Sequence, residues 1–96
     1  MEKETLISST TIVTQKKSLD TTYLDSEVVM MDIDKGKYYN FNLVGSRIWE
    51  VIQNPISVED IVTKLMEEFE VDKDNCSSAV ISFLDRLLND DLITLA

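Results

Sequence analysis

Six apolar residues, Val58, Ile61, Val62, Leu65, Met66 and Phe69, recur at the spacing i, i+3, i+4, i+7, i+8, i+11. This series constrains the fold more than any other feature of the chain. It puts one apolar stripe on an α-helix and leaves the intervening Glu59, Asp60, Thr63, Lys64, Glu67 and Glu68 on the other face. Such a helix must bury its stripe against something else. Ser57 stands where an N-cap belongs, with Asp60 three residues on, a capping box with Asp in place of Glu or Gln. Two further stretches share the 3.6-residue period. One runs about 43–53, capped by Asn42 and stopped by Asn54-Pro55, with Val44, Ile48, Val51 and Ile52 on its stripe and Trp49 at the margin. The other runs about 75–89, after two possible caps in Val71-Asp72-Lys73-Asp74, with Cys76, Val80, Phe83, Leu84, Leu87 and Leu88 on its apolar side. Leu92, Ile93 and Leu95 form a short apolar tail docked on the body.

The first half of the chain reads differently. Thr10–Thr14 is β-branched throughout and predicts a strand. Residues 16–26 are polar around Tyr23 and Leu24 and read as a connection. Glu27–Ile33 is a second strand. Gly36 supplies the positive φ of a tight turn, and Lys37–Phe41 returns as a third strand. On that strand Tyr39 and Phe41 share one face, Tyr38 and Asn40 the other. The expected organisation is a flexible tail at 1–9 and one domain at 10–96. The fold class is α+β and winged-helix-like, a three-stranded antiparallel sheet followed by three helices, with the helices covering one sheet face.

Composition excludes several functions. The 96 residues carry no histidine, one cysteine and a net charge of −9. Without histidine there is no imidazole base and no Cys–His or Ser–His pair, so Cys76 reads as a small buried hydrophobe rather than a nucleophile. The carboxylates around Asp72-x-Asp74 lack the glycine and distal glutamate of a Ca²⁺ loop. No metal or cofactor is expected, and no enzyme activity. The segment from Glu50 to Asp74 holds eight acidic residues against Lys64 and Lys73. Three helices and a small sheet permit a winged-helix DNA-binding reading, with Arg86 and Asn89 on the third helix. That surface, however, repels a phosphate backbone, and anionic membranes with it. Neither nucleic acid nor membrane is an expected partner, whereas a basic peptide is. The acidic N-terminus is no signal peptide, and a cytoplasmic location is expected by default.

The third strand offers a distinct chemistry. At a sheet edge its free N–H and C=O groups are a template for an added strand, with neighbouring pockets to select side chains. From spacing alone, a plain role as wing and core stands level with it.

The run Gly36-Lys37-Tyr38-Tyr39-Asn40-Phe41-Asn42-Leu43-Val44-Gly45-Ser46-Arg47-Ile48-Trp49 resembles the hallmark of the PqqD-like family: glycine, two aromatics, an apolar-Asn pair, then glycine and Ile-Trp. Later features agree, namely Glu68-Phe69 with Val71-Asp72, then Val80-Ile81-x-Phe83-Leu84-x-x-Leu87, then Leu92-Ile93. The similarity spans about 27–95. One departure is Asp90-Asp91, where family members often have glycine before the terminal Leu-Ile. The family is similar to the recognition elements of ribosomally made, modified peptides. The resemblance implies three strands then three helices, and binding of a leader peptide as a fourth antiparallel strand. The implied site is Lys37, Tyr38, Tyr39, Asn40 and Phe41 on the third strand, and Ala79, Val80, Phe83, Arg86 and Leu87 on the third helix. In its free-standing length the chain most resembles the leader-binding proteins of lasso-peptide clusters, which work beside a separate leader peptidase and macrocyclase. A peptide chaperone of another modified-peptide pathway is the alternative within the family.

Overall fold

A computed structural model describes residues 7–95 apart from 18 and 26, and the backbone alone at 20. The strands are β1 (Ile12–Gln15), β2 (Asp20–Leu24), β3 (Glu27–Asp32) and β4 (Lys37–Asn40). They are followed by α1 (Leu43–Val51), β5 (Ile56–Ser57), α2 (Val58–Glu68), α3 (Lys73–Asn89) and β6 (Ile93–Leu95). The α+β class holds: three strands of one antiparallel sheet, ordered β2-β3-β4, precede the three helices. A second three-stranded antiparallel sheet is ordered β5-β1-β6.

The membership of the first sheet differs from the sequence expectation. The strand expected at Thr10–Thr14 is β1, and it leaves the β3–β4 hairpin for β5 and the C-terminal β6. Its place is taken by β2, inside the stretch read as a connection, which pairs with β3 from Asp20↔Met31 to Leu24↔Glu27. The reason is physical. Thr22, Tyr23 and Leu24 are all exposed, so this part of β2 has no buried face to write an alternation into its sequence. The C-terminal tail docks as expected, with Leu92 and Ile93 buried, but does so as a strand. Of the expected tail, Ile7–Ser9 is anchored instead. Ile7 is an aliphatic side chain and is buried in the core, the Ser8 N–H donates to Thr11 Oγ1, and Ser9 O accepts from the Glu59 N–H. The remainder of that tail lies outside the described residues.

The helix caps form as their sequences require. Asn42, Ser57 and Asp72 each accept from the backbone N–H three residues on, at Gly45, Asp60 and Asn75. Helix α1 stops at Val51 with Ile52 as its C-cap, short of the end expected at Asn54-Pro55. Helix α3 ends in a Schellman motif: the Asp91 N–H donates to Leu88 O at 3.0 Å and the Leu92 N–H to Leu87 O at 2.9 Å. Asp91 itself takes the left-handed conformation, φ +61°, that the motif needs at this position and that glycine adopts most easily. The Asp90-Asp91 departure thus leaves the helix terminus intact. Gly36 also has positive φ, +65°, in the β3–β4 turn.

One core holds these elements together. Trp49, Ile52, Ile61, Val80, Leu84, Leu92 and Ile93 are all buried in it, with Val28 and Met30 from the inner face of β3. Trp49 is fully inside rather than marginal. Two stripe residues, Val44 and Met66, are exposed instead. Between α1 and α2, Arg47 forms a forked pair with Glu68, Nε to Oε1 at 2.7 Å and Nη2 to Oε2 at 2.8 Å. That pair favours both charges and holds the Glu68 carboxyl below its usual range against the opposing effect of burial.

Candidate functional site

The order β2-β3-β4 leaves β4 at an edge, with no strand beyond it among the described residues. Its register with β3 is Asn40↔Val29, Tyr39↔Met30, Tyr38↔Met31 and Lys37↔Asp32. The Phe41 N–H continues this ladder, donating to Val28 O at 2.9 Å. Antiparallel bonding alternates along a strand. The main chains of Phe41, Tyr39 and Lys37 therefore face β3, and the N–H and C=O groups of Tyr38 and Asn40 face outward.

The far end of this ladder is closed by a side chain. The buried Ser46 hydroxyl accepts from the Val28 N–H at 2.7 Å and donates to Phe41 O at 3.0 Å. Ser46 lies in the first turn of α1, so this one hydroxyl ties the helix start to the strand edge. Phe41 then packs its ring against Trp49, centroids 5.8 Å apart, and edge-on to Phe83 at 5.2 Å.

Between β4 and α3 runs a groove of about 550 Å³. Its β4 wall is Tyr38, Tyr39, Asn40 and Phe41, and its α3 wall is Ala79, Val80, Phe83, Arg86, Leu87 and Asp90. Helix α1 adds Val44, Gly45 and Ile48, and the α2–α3 junction adds Leu65, Phe69, Val71 and Cys76. Nine of the ten residues expected at the site thus line one groove. The exception is Lys37, which stands opposite Asp32 at the hairpin end and does not line it. Val44, Leu65, Phe69, Val71 and Asp90 were not expected there. The apolar ones carry the same periodic signal as core residues, so sequence alone cannot separate a groove wall from a core. The exposure of Val44 fits this placement.

Gly45 sets the shape of the groove beside Phe83. A Cβ at this position would stand 3.2 Å from Phe83 Cε1 and Cζ and 3.3 Å from Asn42 Oδ1, so the ring rests against bare backbone. Cys76 is a buried free thiol, and burial pushes its pKa up, away from nucleophilic thiolate. At the hairpin end the Tyr39 hydroxyl is buried without a hydrogen-bond partner among the described residues. Burial and the carboxylates of Asp90 and Asp32 push its pKa up and keep it protonated. No group of three or more Cys, Asp or Glu among the described residues is arranged to hold a metal. None of the described helices is long and apolar enough to cross a membrane.

Residues 27–93 match the family described as Coenzyme PQQ synthesis protein D (PqqD). Solved structures share the architecture. TbiB1, determined in complex with the TbiA(beta) leader peptide, superposes with a TM-score of 0.77 at 29% identity, over 83% of this chain and 93% of that one. A lasso peptide synthetase B1 complexed with its leader peptide gives 0.76 at 17% identity, over 85% and 96%. The PqqD truncation of Methylobacterium extorquens PqqCD, described as a functional and stand-alone RiPP recognition element, gives 0.77 at 10% identity, over 94% and 96%. The last two show the fold. Among curated proteins none is similar enough to the chain to count as a relative.

Proposed function

The chain belongs to the PqqD family, and from that premise we propose that it captures the leader segment of a ribosomally made precursor peptide as a strand added to β4. In this reading it acts as a binding module, not a catalyst. It presents the leader to a separate leader peptidase and macrocyclase of a lasso-peptide pathway and raises the leader's concentration near them.

The observation that carries the reading is the outward main chain of Tyr38 and Asn40 beside an apolar groove. Two residues offer two donors and two acceptors in strand spacing, which give sequence-independent affinity. Phe41, Val80, Phe83 and the deeper groove residues then select apolar side chains on the groove-facing positions of the guest. The acidic surface speeds encounter with a basic leader more than it tightens the final complex. The 29% identity with TbiB1, itself solved with a leader peptide, supports leader capture. A DNA-binding role is disfavoured by the net charge of −9.

Titration of labelled leader peptides into the wild type and Asn40→Pro tests this. Proline removes an outward N–H while leaving the β3 ladder its bonds, the situation in which strands tolerate it. The expected result is micromolar or tighter binding by the wild type and at least tenfold weaker binding by the variant, about 1.4 kcal/mol. Equal binding by both proteins would rule out strand addition at β4.

A further inference from the structure

The groove has a polarity that apolar selection does not use. At one end Phe83 meets Phe41. At the other, Lys35 Nζ donates to the main-chain O of Asp90 at 2.6 Å. Helix α3 therefore runs antiparallel to β4. A guest strand laid antiparallel on β4 runs parallel to α3, with its N-terminal part near Phe83 and its C-terminal part near Asp90.

Two charged side chains of α3 line the groove along this path, Arg86 and then Asp90. Neither the guanidinium nor the carboxylate has a hydrogen bond or ion pair among the described residues. They are four residues apart, a rise of about 6 Å along a helix. Two residues of an extended strand rise about 6.7 Å, and alternate residues face the same way. Consecutive groove-facing side chains of the guest thus fall level with Arg86 and Asp90 in turn.

The Asp90 end is negative beyond its own carboxylate. It is the C-terminus of α3, the negative pole of the helix. Asp32 is buried to 4% exposure on the inner sheet face, and neither its Oδ2 nor the buried Tyr39 hydroxyl has a hydrogen-bond partner among the described residues. The charged groups at this end are Lys16, bound to Asp91 at 3.1 Å, Lys35, held on the main chain, Lys37, opposite Asp32, and the carboxylates of Asp32, Asp34, Asp90 and Asp91. Three lysines face four carboxylates, and a further cation completes the balance.

We infer that the groove reads a charge order in its guest: an acidic side chain against Arg86 and, two residues closer to the guest's C-terminus, a lysine or arginine against Asp90. This rests on strand addition at β4 and adds to it the chemistry of the selected segment.

The test is selection of random 12-residue peptides displayed on phage, against the full chain and against R86E/D90R. Circular dichroism checks that the variant is folded, and R86Q/D90N serves as a neutral control. The wild type should enrich peptides with an acid–x–base order within an apolar alternation, and the swapped variant base–x–acid. Each set should bind the other protein about tenfold more weakly, and the neutral control should enrich neither order. Enrichment of apolar alternation without a charge order, or the same order with all three proteins, would overturn the inference and leave strand addition standing. Failure of every protein to enrich any peptide would overturn both.

Discussion

Replacing Ser46 by alanine removes one hydroxyl and leaves two buried backbone groups, the Val28 N–H and the Phe41 C=O, without their partner. Ser46 is 1% exposed, so water does not reach these groups in the folded chain. Each buried unsatisfied group costs about 1–3 kcal/mol. Alanine returns about 0.5 kcal/mol through its better helix propensity. Partial closure of the ladder, with Val28 and Phe41 drawing together, relieves some of the rest. The net expectation is a loss of about 2–4 kcal/mol. A chain of this size has about 5–14 kcal/mol in total, so the loss is a large fraction. It corresponds to a Tm lower by roughly 8–32 °C at about 4–8 °C per kcal/mol. Urea unfolding followed by far-UV circular dichroism and by the fluorescence of Trp49, the one tryptophan, measures it. A loss below about 0.5 kcal/mol, with unchanged m-value, would show that the hydroxyl does not close the β3–β4 ladder as described.

Two other outcomes follow from specific contacts. Gly45→Val places a branched side chain where a lone Cβ already stands 3.2 Å from the Phe83 ring, and it should push that ring into the groove. Leader affinity should fall at least tenfold, about 1.4 kcal/mol, while the Tm falls by only a few degrees, and calorimetric titration beside thermal melting separates the two. Stability should also fall as the pH drops through and below the ordinary carboxylate range. The Arg47 pair lowers the folded pKa of Glu68, so its contribution is present above the unfolded pKa and is lost as Glu68 is protonated in the folded chain. Arg47→Met should flatten that part of the stability–pH curve measured by urea unfolding.

What the sequence could reveal followed from where burial is one-sided. Helix α2 buries Val58, Ile61, Val62 and Leu65 on one stripe, so its period is plain. The β3–β4 hairpin announced itself through Gly36 and the inner-face pair Val28 and Met30. Strand β2 has no comparable pattern, because its exposed Thr22, Tyr23 and Leu24 carry no alternation of burial. Strands β5 and β6 have two and three residues and are too short for any period. Their pairing with β1 joins residues far apart in the chain, and local pattern does not record it. The groove was legible at Tyr38–Phe41 and at Val80, Phe83, Arg86 and Leu87 through family resemblance, not spacing. Asp90 was not, because its place at the groove depends on where α3 stops. The Schellman ending that stops it uses Asp91 where glycine would have been the readable signal.

The central claim is that the outward main chain of Tyr38 and Asn40 is free in the isolated protein and bonded in the complex. Amide hydrogen exchange resolved by NMR, with and without a bound leader peptide, tests it residue by residue. Tyr38 and Asn40 should exchange rapidly alone and become protected on binding, whereas Tyr39 and Phe41, already bonded to β3, should be protected in both. Tyr38 and Asn40 amides that are equally protected without peptide, or equally exposed with peptide bound, would contradict the account.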